Sequence, residues 1–304
     1  MAPPRPARTV SIATLVGSSS LFGVMAFLSK LATRTYDGAT VGAARFLVGL
    51  VATLAIVAAM PLVGARRPKP RRLGMLLSRG ISGGAAVLCY FTALSRLPVG
   101  VATLLNNTAP VFAALFGRLF LAEPLGKRGL LALATTSIGA LLVVLGQAPC
   151  AGDEGLRGIL PHVESSTVPW LLLGLLSGAL SGIAMTSVRR LRQGAHPESP
   201  LSIFFFFCAA GLLCTAPLAR SLDTPTATEA LLLGGVGVTS VVAQLLMNRA
   251  LRWVPAAVAS MLSQLAVVTA ATLGVLVLHE PWTALSALGS AAIILGITLV
   301  TTGS

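Results

Sequence analysis

Acidic residues are scarce in this chain: nine Asp and Glu stand against 22 Lys and Arg in 304 residues. None of the nine falls in the middle of an apolar run, so a proton relay through a buried carboxylate lacks its usual carrier. Charged residues of both signs make up only 10% of the chain, against about a quarter in soluble domains. That shortage excludes an ordinary water-soluble fold, whose surface helices need polar residues every few positions. The three histidines lie in connections, and no HExxH or GxSxG occurs, so an embedded hydrolase has little to work with. The absence of GxxxxGK[ST] leaves ATP-driven transport within this chain unsupported, and no cofactor is expected. Cys89, Cys150, Cys208 and Cys214 show neither CxxC nor Cys/His metal spacing. Three of them sit in apolar runs, where cysteine serves as a small apolar residue.

What the chain has in excess is long apolar segments, with a mean hydropathy of +0.87. Ten of them run for about 20 residues, the length that crosses roughly 30 Å of hydrocarbon. They cover residues 12–32, 39–61, 73–95, 98–121, 126–146, 169–190, 200–219, 229–251, 256–278 and 283–302. The ten-residue alternation of a membrane barrel is absent. The expected fold is an all-α integral membrane protein with ten transmembrane helices. Arg5 and Arg8 before the first run imitate a secretory signal, but the run is too long and has no clear cleavage site. It is taken as the first span, after a cytoplasmic tail over 1–11.

The second half repeats the first. Residues 90–146 align without a gap on 247–303 at an offset of 157, with 21 of 57 pairs identical. The shared residues include Ala93-Leu94/Ala250-Leu251, Pro98/Pro255, Gly117/Gly274, Gly139/Gly296 and Glu123-Pro124/Glu280-Pro281. Each unit, 12–146 and 169–303, carries five spans, joined by an extracytoplasmic linker over 147–168. Five is odd, so the second copy enters the membrane upside down. Inverted repeats of this kind are a recurring plan of secondary transporters.

The positive charges agree. Arg66, Arg67, Lys69, Arg71 and Arg72, then Lys127 and Arg128, Arg189, Arg190 and Arg192, and Arg249 and Arg252 cluster at alternate connections. With both termini cytoplasmic, all of them lie inside, as the positive-inside bias requires. The net charge of +13 therefore reports membrane orientation, and nucleic acid is not an expected partner. The partners are lipid and a small-molecule substrate.

Ala43-Ala44-Arg45-Phe46, Tyr90-Phe91-Thr92-Ala93-Leu94, Pro98-Val99-Gly100-Val101-Ala102-Thr103 and Leu121-Ala122-Glu123-Pro124 follow in order. The second half echoes them in Ala250-Leu251, Pro255-Ala256-Ala257-Val258-Ala259-Ser260 and His279-Glu280-Pro281. With the duplication, this order and spacing resemble the drug/metabolite transporter superfamily, EamA type, with two EamA domains. The resemblance implies one central cavity between spans 1–4 and 6–9. Spans 5 and 10 then brace the periphery and offer the contact for a homodimer. It implies export or exchange of small metabolites such as amino acids or drugs in a plasma membrane, the inner membrane in a bacterium. A nucleotide-sugar or sugar-phosphate exchanger is the alternative within the superfamily. A membrane-embedded enzyme or a scaffold without transport is the alternative outside it.

Polar groups inside spans are costly and mark candidate sites. In span 4 these are Thr103, Asn106 and Asn107, with Pro110 as a hinge because it cannot donate to the carbonyl of Asn106. Span 9 offers Ser263 and Gln264 at the positions equivalent to Asn106 and Asn107. Span 8 sets Gln244 and Asn248 on one helical face, and span 6 adds Ser177 and Ser181. Arg45 either holds a substrate carboxylate or phosphate or reaches helix-end carbonyls. Tyr90 offers an aromatic wall with a hydroxyl. Glu123 and Glu280 read as caps of the helices that follow them, with Pro124 and Pro281 in the first turn, or as gates. The glycines at 174, 178 and 182 read as a packing surface, and so does the Phe204–Phe207 run.

Overall fold

The structure, a computed structural model, describes residues 5–94, 96–97, 99–147, 168–219, 225–279 and 282–302. These residues form helices and no strand. The first half holds α1 (Arg5–Ala32), α2 (Gly38–Ala59), α3 (Leu73–Leu94), α4 (Val99–Asn106), α5 (Ala109–Leu121) and α6 (Lys127–Gln147). The second holds α7 (Val168–Arg192), α8 (Pro200–Thr215), α9 (Ala227–Ala250), α10 (Ala256–Ser263), α11 (Leu265–Leu278) and α12 (Ala284–Thr302). Taking α4 with α5 and α10 with α11 as single crossings, ten segments are long and apolar enough to span a membrane. They fall on the ten apolar runs of the sequence. α1 starts at Arg5, so part of the segment read as a tail is helical. Cys150, most of the linker, Glu280 and Pro281 lie outside the described residues.

Helix ends follow local chemistry. Asp37 caps α2, its carboxylate accepting from the Thr40 amide at 3.0 Å. Thr226 and Glu229 close a reciprocal capping box on α9. α5 and α11 end alike: Ala122 and His279, 157 positions apart, both take left-handed backbone (φ 50° and 54°) and donate to Gly117 and Gly274. A left-handed non-glycine residue costs roughly 1–2 kcal/mol, so its recurrence at equivalent positions is a shared structural device.

The helices pack in twinned pairs. α1 lies along α9 as α3 lies along α7, and α5 lies on α7 as α11 lies on α1. The most extensive contact joins α6 to α12, where glycines let the backbones meet. A Cβ on Gly139 would sit 2.7 Å from the Gly289 carbonyl, and one on Gly296 would sit 3.0 Å from that of Ala132. These are the same contact seen from each half, since 139 pairs with 296 and 132 with 289.

The bundle has two unlike ends. The basic end gathers Arg71, Arg72, Arg189, Arg190, Arg192, Arg249 and Arg252. One continuous core fills it, from Leu15 and Leu76 through Val188, Leu191 and Leu251 to Met261, Leu262 and Val300. At the far end the core divides. Ala93, Leu97, Val101 and Ala102 form one cluster with Tyr90 and Trp170. Ala32, Val41 and Val236 form another with Tyr36 and Leu232. No buried cluster among the described residues joins the two.

Replacing Gly139 with alanine should lower the thermal unfolding midpoint in detergent, at a cost of about 1–3 kcal/mol from overpacking. Gly17 meets nothing within 4 Å, so Gly17→Ala should leave the midpoint unchanged or raise it. Equal effects at both positions would contradict the α6–α12 packing described.

Candidate functional site

Two helices break near the middle of their spans, at positions related by the repeat. The first break separates α4 from α5 at Asn107-Thr108, just before Pro110, which is buried. Proline removes a backbone donor there, and the Thr108 hydroxyl turns back onto the Leu105 carbonyl at 2.6 Å. The second break separates α10 from α11 at Gln264 and contains no proline. There the Ser263 hydroxyl bonds the Ser260 carbonyl at 2.6 Å, a back-bond of the kind that bends helices.

The breaks touch. Gln264 Nε2 donates to the backbone oxygen of Asn107 at 3.2 Å, so the residues equivalent at offset 157 are bonded to each other. Gln264 is 4% exposed, and Asn107 Nδ2 is buried without a partner. Ser177 joins the group, its hydroxyl reaching Asn106 Oδ1 at 3.3 Å and the Gly174 carbonyl at 2.6 Å. The glycines of α7 seat the first break: Gly174 and Gly178 lie against Leu105, Gly178 also against Thr108, and Gly182 against Phe112. Ser181, one turn further along, is half-buried. Towards the far end, the Tyr90 hydroxyl and Thr103 Oγ1 share a hydrogen bond of 3.1 Å.

Other expected residues lie elsewhere. Gln244 Nε2 donates to Asn248 Oδ1 at 3.2 Å, and Asn248 Nδ2 to the Pro200 carbonyl at 3.4 Å. Both side chains are buried; they tie α9 to the start of α8 and do not join the breaks. Arg45 sits apart on α2, its Nη1 3.6 Å from the Met25 sulfur and its Cζ 4.7 Å from the Phe46 ring centre. The sequence reading missed Arg79 on α3. It is 4% exposed, lies over the Phe207 ring at 4.3 Å, and was detectable as a second arginine within an apolar run.

Glu123 corrects an expectation. Neither it nor Pro124 belongs to the helix that follows, because α6 starts only at Lys127. Its carboxylate reaches the other half of the molecule. Oε1 accepts from Arg189 Nε at 2.8 Å and Gln193 Nε2 at 3.0 Å, and Oε2 from the Ala256 amide that opens α10, at 3.3 Å. Arg189 continues to the carbonyls of Leu251 and Arg252 at 3.0 and 2.6 Å. One carboxylate thus ties α5, α7 and α10 together at the basic end. Glu280 lies outside the described residues. Beside this knot a cavity of ≈ 450 Å³, lined by Ser11, Arg192, Arg249, Arg252 and Trp253 among others, opens next to α1.

The knot fits an asymmetry in packing. α10 packs across onto α5, while its counterpart α4 packs on α3, α6 and α7 and makes no extended contact with α11. The halves of the broken helices are joined on the basic side of the breaks and unjoined on the far side.

Comparison with known proteins points one way. The EamA-like transporter family matches residues 9–145 and again 168–302. The chain is 31% identical over 235 residues to the pseudopaline exporter CntI of Pseudomonas aeruginosa, covering 77% of this chain and 75% of that one. It is 29% identical over 116 residues to a riboflavin transporter of Brucella anthropi, covering 37% and 40% of the two chains. A solved crystal structure superposes with a TM-score of 0.75 over 96% of this chain and 98% of its own, at 19% identity; that likeness speaks for the fold alone.

Gln264→Ala would leave the Asn107 carbonyl unpaired in the core and should cost about 1–3 kcal/mol, read as a lower unfolding midpoint in detergent. Ser263→Ala removes a bond within its own helix and should change the midpoint little. Equal midpoints for the two variants would mean that the breaks do not depend on each other.

Proposed function

This chain belongs to the EamA-like transporter family, and from that premise we propose that it moves small metabolites by alternating access around the two helix breaks. It is a multi-pass membrane protein and a transporter rather than an enzyme. The proposal concerns how it works, what it carries and which way round it lies.

One observation carries the proposal: α10 seals against α5 at the basic end, while α4 and α11 stay apart at the far end. A duplicated unit with equivalent contacts made on one side and unmade on the other has a second arrangement built into it. Exchanging the roles of the halves would close the far end over the breaks and open the basic end. The twinned left-handed caps and twinned packings support that symmetry. The odd number of spans per unit supports the two units lying inverted in the membrane.

Orientation follows from charge. Lysine and arginine near span ends favour the cytoplasm, so the basic end and both termini are placed inside and the far end outside, with the plasma membrane as the site. The arrangement described is then the outward-open one, and the knot around Glu123 is the closed inner gate. Asn106, Asn107, Ser177, Ser263 and Gln264 gather at the breaks as the substrate site, with Tyr90 and Thr103 towards the far end and Pro110 as the hinge. Gln244, Asn248 and Ser181 are outside this set. The cargo is a small metabolite with several hydrogen-bonding groups, amino acids being the first class to test. Export is supported by the Pseudomonas relative, a pseudopaline exporter.

Removing the gate charge should unlock the inner end. A cysteine placed at Ser263, in a background without the native cysteines, should react slowly with a membrane-impermeant maleimide from the basic side. Adding Glu123→Gln or Arg189→Gln removes a charge-assisted contact of about 1.5–3 kcal/mol and should speed that reaction about tenfold or more. Labelling from the far side should fall in parallel. If labelling from both sides is unchanged, Glu123 is a fixed helix cap and the gate assignment is wrong.

A further inference from the structure

Arg45 on α2 and Arg79 on α3 both stand within spans, and the packing brings them to one aromatic pair. Arg45 stands next to Phe46, Arg79 lies over Phe207, and the Phe46 and Phe207 rings meet edge to face at 5.1 Å. Cys208 packs in the same buried cluster as Phe46 and Phe207. Gly83 has no room for a Cβ because the Arg79 guanidinium and the Phe207 ring fill that space. Arg79 is therefore seated in a fitted position and does not reach out towards a membrane surface.

Nothing among the described residues neutralises this pair. Asp37 caps α2, Glu123 holds Arg189, Glu198 accepts the Arg71 and Arg72 amides, and Glu229 binds Thr226 and Tyr36. All four described carboxylates are committed at helix ends. Arg45 Nε, Arg79 Nε and Arg79 Nη1 are buried with no hydrogen-bond partner. Burying a charge is costly, and contact with an aromatic face returns only a part of that cost. Two like charges held together raise the cost again. The deficit is what an arriving anion would relieve, and a guanidinium fork matches the two oxygens of a carboxylate or phosphate.

We propose that Arg45 and Arg79 form an oxyanion site inside the bundle, and that the cargo of this transporter is an organic anion. The assignment rests on the transport reading above and narrows its substrate class. Both arginines keep unpaired N–H groups beside the same aromatic pair.

The test uses the full chain in nanodiscs of neutral phosphatidylcholine. Thermal unfolding is followed in succinate, inorganic phosphate or choline chloride at matched ionic strength. Succinate, phosphate or both should raise the wild-type midpoint saturably above its value in chloride, and the stronger of the two identifies the preferred oxyanion. Arg79→Gln and Arg45→Gln should abolish that rise. In chloride, Arg79→Gln should be at least as stable as the wild type, because an uncompensated buried charge has gone. Arg79→Lys keeps the charge without the fork, and it should fold and bind at least about tenfold more weakly. An anion response identical in wild type and variants, or absent from the wild type, overturns the proposal. Counterflow in proteoliposomes over a metabolite panel separates the two levels. Exchange of neutral or cationic metabolites alone, unaffected by Arg79→Gln, keeps the transporter reading and sinks the anion site. An arginine-dependent anion response with no metabolite exchanged keeps the site and sinks the transport reading.

Discussion

Hydrocarbon tolerates no unpaired backbone, and that constraint shapes the centre of this molecule. An intact helix satisfies its own amides and carbonyls; a broken one must find partners elsewhere in the protein. Here the partner of the first break is the second. Gln264 reaches the Asn107 carbonyl across the interface of the halves, and Ser177 and Asn106 complete the local bonding. The contact joins positions 107 and 264, which are equivalent under the sequence repeat.

From that point the rest of the architecture follows. Small residues bring backbones together at α6 with α12 and along the glycine strip of α7. The large continuous core sits at one end, and the divided clusters sit at the other. Apolar packing cannot by itself choose which end is shut, because lipid is as apolar as leucine. Polar contacts decide, and the network centred on Glu123 supplies them at the basic end. The halves are not equivalent in this respect. Position 32, where the second unit has Arg189, holds Ala32 in the first, so the ion pair has no twin.

Much of this was legible in the sequence, and the reasons for the gaps are physical. Ten spans follow from run length, and the duplicated unit follows from Glu123-Pro124 and Glu280-Pro281 recurring in a chain so poor in acids. The first break announces itself through Pro110, whose missing donor is local chemistry. The second does not, because Gln264 interrupts its helix without proline and only its match to Asn107 hints at it. Glu123 reads from sequence as a cap on the following helix or as a gate; its partners, Arg189 and Ala256, are 66 and 133 positions away, a separation that no local rule reaches. Gln244 and Asn248 share a face as spacing predicts, yet spacing does not say that they bond to each other. Arg79 was passed over because it stands six residues inside its span, a position that a reader assigns to the membrane border.

The central claim is that closing one end of the bundle opens the other. Spin labels at Arg34 and Arg96, both exposed at the far end, report one side. A second pair at Arg118 and Arg252, exposed at the basic end, reports the other. Distance distributions measured with and without a transported metabolite should move in opposite directions, the far-end pair shortening as the basic-end pair lengthens. Distances that change together, or at one end only, would contradict a two-sided mechanism about the helix breaks.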